Sequence, residues 1–371
     1  MTQLHAASQK RTEKALLLAG HDASIVSLSF SSDGKYLASA SNDNSVLVWD
    51  AQSFDLIRVH YLPEDWVLAK CLFSPDGKYL ALSGSLLFLW DTDTWKLLRT
   101  SYNSPSDYAF SPDGESMCYD VPGDADYSHV LRIVRTRTGG FRRSISLPEL
   151  TNCESITFSN DGVLVAVLQY DTPRNASVAT YDIAHRKLRS IEMPACRRLV
   201  EWTTEAATRI AAISADGATL YDAESGLDDI RGIAISPNGT SVVPVTTYSS
   251  EVFTRHMPPS GKVRVLKGHK NNTRAITFSH NGRWIASGDE SGTIIIWSTL
   301  GKRKLLTFRL LPDDLWICCS PDGRYIGSEG AERYLRARRG TEVLHDANGV
   351  LQPRCPSLIE DTLSTKYCGS R

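Results

Sequence analysis

The chain has 371 residues, with 41 basic against 42 acidic side chains and a formal net charge of -1. A balance so near zero supplies no long-range field toward nucleic acid or an anionic membrane, so any such contact needs a local patch. The length fits two or three average domains or one closed all-β ring, and the eight cysteines contain no Cys-x-x-Cys pair, which leaves reduced, buried thiols as their reading.

In chain order, residues 1–14 are polar and read as a flexible segment carrying Lys10, Arg11 and Lys14. The apolar run Ala15 to Ala19 that follows is too short for a secretory signal or a membrane span, so a soluble cytoplasmic or nuclear protein is expected. From Leu16 to Asp50 the pattern becomes ordered: Gly20-His21 opens it, a Ser-Ser-Asp-Gly turn interrupts it at Ser31 to Gly34, and Trp49-Asp50 closes it. Between these marks apolar and small residues alternate with the period of two of a pleated strand, and Asp33-Gly34 supplies a left-handed hairpin turn. The unit predicted is a four-stranded antiparallel sheet, with Ala15 to Ala19 as one strand.

This order of Gly-His, turn, small-residue strand and Trp-Asp resembles the WD40 repeat. The resemblance implies a buried hydrogen-bonded tetrad at His21, Ser39, Asp43 and Trp49, structural rather than catalytic. Buried imidazole and indole nitrogens are costly when unpaired, which gives the tetrad a physical reason of its own.

An apolar residue followed by a Ser-Pro-Asp-Gly-like turn recurs at Phe30, Phe73, Phe110, Phe158, Ile235, Phe278 and Cys319, with Trp202 holding a degraded copy. Successive copies lie from 33 residues (Trp202 to Ile235) to 48 residues (Phe110 to Phe158) apart, which brackets the period of a four-stranded propeller blade. A lone sheet cannot bury its faces, whereas sheets packed in a ring can. The expectation is therefore an all-β, WD40-type β-propeller over residues 15–351, of eight blades with seven as the alternative. The weak unit at Trp202 is the suspected overcount. The resemblance implies closure by the N-terminal strand, with Thr341 to Leu344 as a competitor.

The units decay unevenly. Unit seven keeps Gly268, His269, Ser287 and Trp297, but Ser291 stands where Asp43 would be, so its tetrad is weaker or uses Asp289 or Glu290. Units four and five place Tyr181 and Tyr221 at the Trp position, unit three has Val134-Arg135 there, and unit six has lost the pattern. Unit eight, Ser320 to Arg338, resembles a terminal unit of some WD40 arrays. Residues 352–371 read as an irregular tail.

No catalytic elbow, zinc pair, phosphate loop or dinucleotide fingerprint occurs, and no cofactor or metal is expected. Acidic pairs at Asp124 and Asp126, Asp228 and Asp229, and Asp313 and Asp314 read as solvated loops. Arg132, Arg135, Arg137, Arg142 and Arg143 crowd unit three, and Phe141-Arg142-Arg143 resembles the Phe-Arg-Arg-Gly signature of phosphoinositide-binding propellers, with Ser144 in place of glycine. That makes Arg142 and Arg143 candidate anion-binding residues, against the plainer reading of a charged outer strand. The function expected is a non-catalytic scaffold for protein partners. The alternatives are anion binding through those arginines and an enzyme at the ring axis. Trp66, Trp95, Trp284 and Trp316 are candidate partner anchors if exposed.

Overall fold

In the computed structural model the described residues run from 20 to 344, less short stretches that include 123–128, 147–151, 215–219, 222–229, 257–262 and 328–336. The described residues contain strands and turns and no helix. The first sheet holds β1 (Ile25–Phe30), β2 (Tyr36–Ser41), β3 (Ser45–Asp50) and β4 (Leu56–Tyr61). The second holds β5 (Leu68–Phe73), β6 (Tyr79–Gly84), β7 (Leu87–Asp91) and β8 (Leu97–Ser101). The third is β9 (Tyr108–Phe110), β10 (Ser116–Pro122), β11 (His129–Arg135) and β12 (Phe141–Ser146). The fourth is β13 (Asn152–Phe158), β14 (Leu164–Gln169), β15 (Asn175–Asp182) and β16 (Lys187–Pro194). β17 (Cys196–Thr204), β18 (Ala207–Ser214) and β19 (Leu220–Tyr221) make the fifth. β20 (Ile230–Ile235), β21 (Ser241–Thr246), β22 (Val252–His256) and β23 (Val263–Leu266) make the sixth. The seventh begins with β24 (Thr273–Phe278), β25 (Trp284–Asp289), β26 (Ile294–Ser298) and β27 (Lys304–Leu311).

Within each sheet the strands are antiparallel neighbours in chain order, so the first strand is innermost and the last is the outer edge. β1 lies beside both β5 and β24, Lys70 of β5 bonds Asp107 just ahead of β9, β13 lies beside β9 and β17, and β20 beside β17 and β24, which closes a propeller. Apolar side chains fill each seam. Ile25, Leu47 and Trp49 of the first sheet pack against Ile294, Ile296 and Phe308 of the seventh, and Val46 and Val48 pack against Leu80, Leu82 and Trp90 of the second.

The eighth unit is not a separate sheet among the described residues. Its strands β28 (Leu315–Cys319) and β29 (Tyr325–Gly327) hydrogen-bond onto β27 and extend the seventh sheet to six strands. The physical reason is that β1 already occupies the place beside β24, while β27 would otherwise leave a bare edge. Pairing there buries Cys318 in the seam with Trp49 and Phe308. The weak unit around Trp202 has its own sheet, β17 to β19. Among the described residues the competitor for closure, β31 (Glu342–Leu344), pairs with β30 (Ala337–Arg339). The N-terminal strand expected at Ala15 to Ala19, residues 1–14 and the 352–371 tail lie outside the described residues.

The recurring turn follows one wiring. Ser31 Oγ donates to Asp33 Oδ1 at 2.7 Å and accepts from the Tyr36 amide at 2.8 Å, and Ser74 with Asp76 and Tyr79 repeats the pattern at 2.6 and 3.0 Å. Ser279, Asn281 and Trp284 do the same in the seventh sheet. Gly34, Gly77, Gly114 and Gly282 take φ of 66–73°, which explains the glycine in these four copies.

His60 on β4 packs on Trp90 with ring centroids 4.8 Å apart and the rings tilted, and its Nε2 is shut off from solvent without a hydrogen-bond partner. Burial, with the Arg58 charge adding to it, pulls its pKa from 6.5 to about 4. Unfolded chains therefore bind this proton near pH 6.5 and the fold only near 4, so stability is full above about pH 6.5 and falls as pH drops toward 4. Asp33, Asp76 and Asp113 are lowered, the Ser and amide donors outweighing burial at the first two, so their stabilisation is lost only below about pH 4. Urea midpoints measured at pH 7.5 and 4.5 should fall for the native chain and fall less for His60→Phe.

Candidate functional site

The two ends of the ring differ. One carries the Gly-His loops and the turns between second and third strands, and the other carries the Ser-x-Asp-Gly turns. At the Gly-His end of the first sheet His21 is fully buried, its Nδ1 2.8 Å from Asp43 Oδ2 and its Nε2 2.8 Å from Ser39 Oγ. Trp49 Nε1 donates to the same Ser39 Oγ at 3.1 Å, and Ser45 Oγ donates to Asp43 Oδ1 at 2.6 Å. One proton arrangement satisfies all four: Nδ1–H donates to Asp43, and Ser39 O–H donates to Nε2 while accepting from the indole.

The seventh sheet repeats this arrangement with His269, Ser287 and Trp297. Asp289, not Ser291 or Glu290, takes the carboxylate role at 2.8 Å from His269 Nδ1. Ser291 Oγ instead donates to Asp289 Oδ1 at 2.7 Å, and Glu290 pairs with Arg274. The bonds to serine, both 2.7 Å, make the tetrad complete despite the shifted acid. Burial raises the carboxyls of Asp43 and Asp289, but the facing histidines and serine donors outweigh it and hold both below the usual value. Chemically each tetrad fixes a loop: His21 anchors the segment just before β1, and Asp43 accepts from the Asp22 and Ser45 amides.

Ser39→Ala would leave both the Trp49 indole and His21 Nε2 unpaired, at about 1–3 kcal/mol for each buried group. The same change in a Trp49→Phe background should cost less, because one orphan is gone. A double-mutant cycle by urea denaturation reads that difference.

A second set of side chains ties the innermost strands together. Ser27 Oγ accepts from the Cys71 amide at 3.0 Å and Ser29 Oγ accepts from the Phe73 amide at 3.1 Å, joining sheets one and two. Lys70 of β5 donates to Asp107 Oδ1 at 2.7 Å and to the Tyr108 carbonyl at 2.9 Å, while Asp107 Oδ2 accepts from the Ile156 amide of β13 at 2.9 Å. One carboxylate thus links three consecutive sheets. Sequence reading missed Asp107; its signal was an acidic residue directly before an innermost strand, which looked like any solvated turn.

The other expected positions are placed as follows. Arg142 and Arg143 lie on β12, the outer edge of the third sheet, and Arg142 stands 3.7 Å from Glu115. Trp66 and Trp95 pack against the core between sheets one and two, and Trp284 and Trp316 against that between seven and one, so all four are seam residues. Burial pushes the Cys71 thiol up to about 12 and those of Cys118 and Cys318 well above their ordinary value. The acidic pairs at 124 and 126, 228 and 229, and 313 and 314 lie outside the described residues.

The WD40 family, described as "WD domain, G-beta repeat", matches residues 12–50 and 260–298, the units that carry the two tetrads. Protein HIR1 of Cryptococcus neoformans is 35% identical over 85 residues, 22% of this chain and 10% of that protein. The guanine nucleotide-binding protein subunit beta-1 of Homarus americanus is 38% identical over 78 residues, 20% of this chain and 22% of its own length. The match therefore spans a tenth to about a fifth of these relatives. Among solved structures, a chain of Kuenenia stuttgartiensis hydrazine synthase superposes with a TM-score of 0.60 over 76% of this chain and 97% of its own, at 16% identity, a likeness of fold alone.

Proposed function

From the premise that this propeller carries WD40 repeats in its first and seventh sheets, we propose that it is a non-catalytic platform for protein partners. The observation that carries the reading is what its buried ionisable groups do. His21 and His269 are spent on loop-bracing tetrads, and the Lys70–Asp107 pair is spent on joining sheets. Side chains so engaged give rigid loops, which is what a preorganised binding surface needs. One relative's name makes it a subunit, a chain that works within an assembly.

The Gly-His end, braced by both tetrads, is the surface assigned to partners. Exposed Asp22 and Lys270 stand in its loops. Affinity capture from the source cell with the native chain and with an Asp22→Arg, Lys270→Glu variant tests this. Specific partners retained by the native chain and lost from the variant are expected, and a native chain that retains none contradicts the reading.

A further inference from the structure

At the opposite end, between the sixth and seventh sheets, lies a cleft of about 440 Å³. One repeat position contributes to it. The residue that starts the second strand is aromatic in four units, Tyr36, Tyr79, Trp284 and Tyr325, and is Ser116, Leu164, Ala207 and Ser241 in the third to sixth. Where the ring is present it fills the groove toward the next sheet. Tyr36 stacks on Phe73 at 6.1 Å and meets Trp95 edge-on at 5.2 Å, Tyr79 lies in one buried cluster with Phe110, and Trp284 packs against the cluster that Phe30 also flanks. In the sixth groove Phe278, the counterpart of Phe73, is in place, and the ring that should cover it is missing.

The cleft that results has a defined chemistry. Leu266, Phe278 and Ile285 supply apolar wall. Thr254, only 8% exposed, also lines it, and its Oγ1 is buried without a hydrogen-bond partner. His280 and Arg283 stand exposed at the rim, and no carboxylate occurs among the described lining residues. A buried hydroxyl left unpaired costs roughly 1–3 kcal/mol, which a ligand that supplies the bond recovers.

We propose that this cleft receives the tyrosine side chain of an acidic segment in a protein partner. The ring takes the place of the one absent at Ser241 and covers Phe278. Its hydroxyl pairs with Thr254 Oγ1, and flanking carboxylates meet Arg283 and His280. The proposal rests on the platform reading above and adds a second docking point, at the other end of the ring, with a stated sequence preference.

The test uses the full chain and the peptide acetyl-Glu-Tyr-Glu-amide, followed by saturation-transfer NMR and titration. Transfer to the tyrosine ring protons is expected, with the Kd rising at least tenfold in Ser241→Tyr, which fills the cleft from within, and severalfold in Arg283→Glu. Since four other units carry a ring at that position, Ser241→Tyr should melt no lower than the native chain; should it fail to fold, Arg283→Glu on the exposed rim decides. No transfer to the native chain, or unchanged affinity in either folded variant, overturns the proposal. Partners captured through the Gly-His end would survive that outcome and leave the platform reading intact, whereas a chain that captures no partner fails that reading whatever the peptide does.

Discussion

Asp107→Ala should destabilise the fold by about 3–5 kcal/mol, the usual cost of removing one partner of a buried ion pair. The carboxyl is 9% exposed and serves two other sheets at once, through the Lys70 ammonium at 2.7 Å and the Ile156 amide at 2.9 Å, besides the adjacent Tyr108 amide at 2.8 Å. Its loss strands a partly buried cation and a buried N–H, and it unlinks the second, third and fourth sheets along their inner strands. Lys70→Met in the same chain should recover part of the loss, because the stranded charge goes with it. Equilibrium denaturation of the single and double variants measures both effects, and an Asp107→Ala variant within about 0.5 kcal/mol of the native chain would show that the link contributes little.

A methyl group at Gly292 is the second large perturbation expected, at about 2–5 kcal/mol from close packing and backbone conformation together. Its φ is +78°, and a Cβ there would fall 2.1 Å from the His21 carbonyl oxygen, across the seam between the seventh and first sheets. Backbone stands on the crowded side, so neither sheet can yield without parting from the other. Gly34 is the control: its φ is +72° with nothing within 4 Å of the same added atom. Gly34→Ala therefore pays only for conformation, about 1–2 kcal/mol. The excess of Gly292→Ala over Gly34→Ala, read from urea midpoints, isolates the closing seam, and equal losses in the two would mean that the seam is not where the ring closes. Gly288 adds a second probe, since a Cβ there would lie 2.6 Å from the Ile25 Cβ across the same boundary.

The sheets were legible in the sequence because local chemistry makes them. The Ser-x-Asp-Gly turn is held by bonds within a few residues, so its copies survive even where the rest of a unit has drifted. The first tetrad was legible through the resemblance to the WD40 repeat, whose marks its residues keep in order. Asp289 was not assigned in advance, because the carboxylate that faces His269 is set by the path of the loop and not by its offset from the histidine. The place of unit eight could not be read at all. Its turn is as good as any other, and what denies it a place in the ring is β1 standing beside β24, a contact between residues some 250 positions apart. Asp107, Lys70 and the cleft at Ser241 are likewise products of adjacency between sheets, which no local pattern encodes; Ser241 shows only when its counterparts are laid side by side.

The ring passes directly from the seventh sheet to the first. Lys35, Lys78, Glu115 and Arg283 are exposed and follow the turn glycine in sheets one, two, three and seven, so they form a ruler within the molecule. Spin labels placed there through an unnatural amino acid leave the native cysteines untouched, and pulsed electron resonance gives the separations. A Lys35–Arg283 distance equal to Lys35–Lys78, the spacing of adjacent sheets, is what the structure predicts. A value near the longer Lys35–Glu115 distance would mean that another sheet stands between the first and the seventh, and would contradict it.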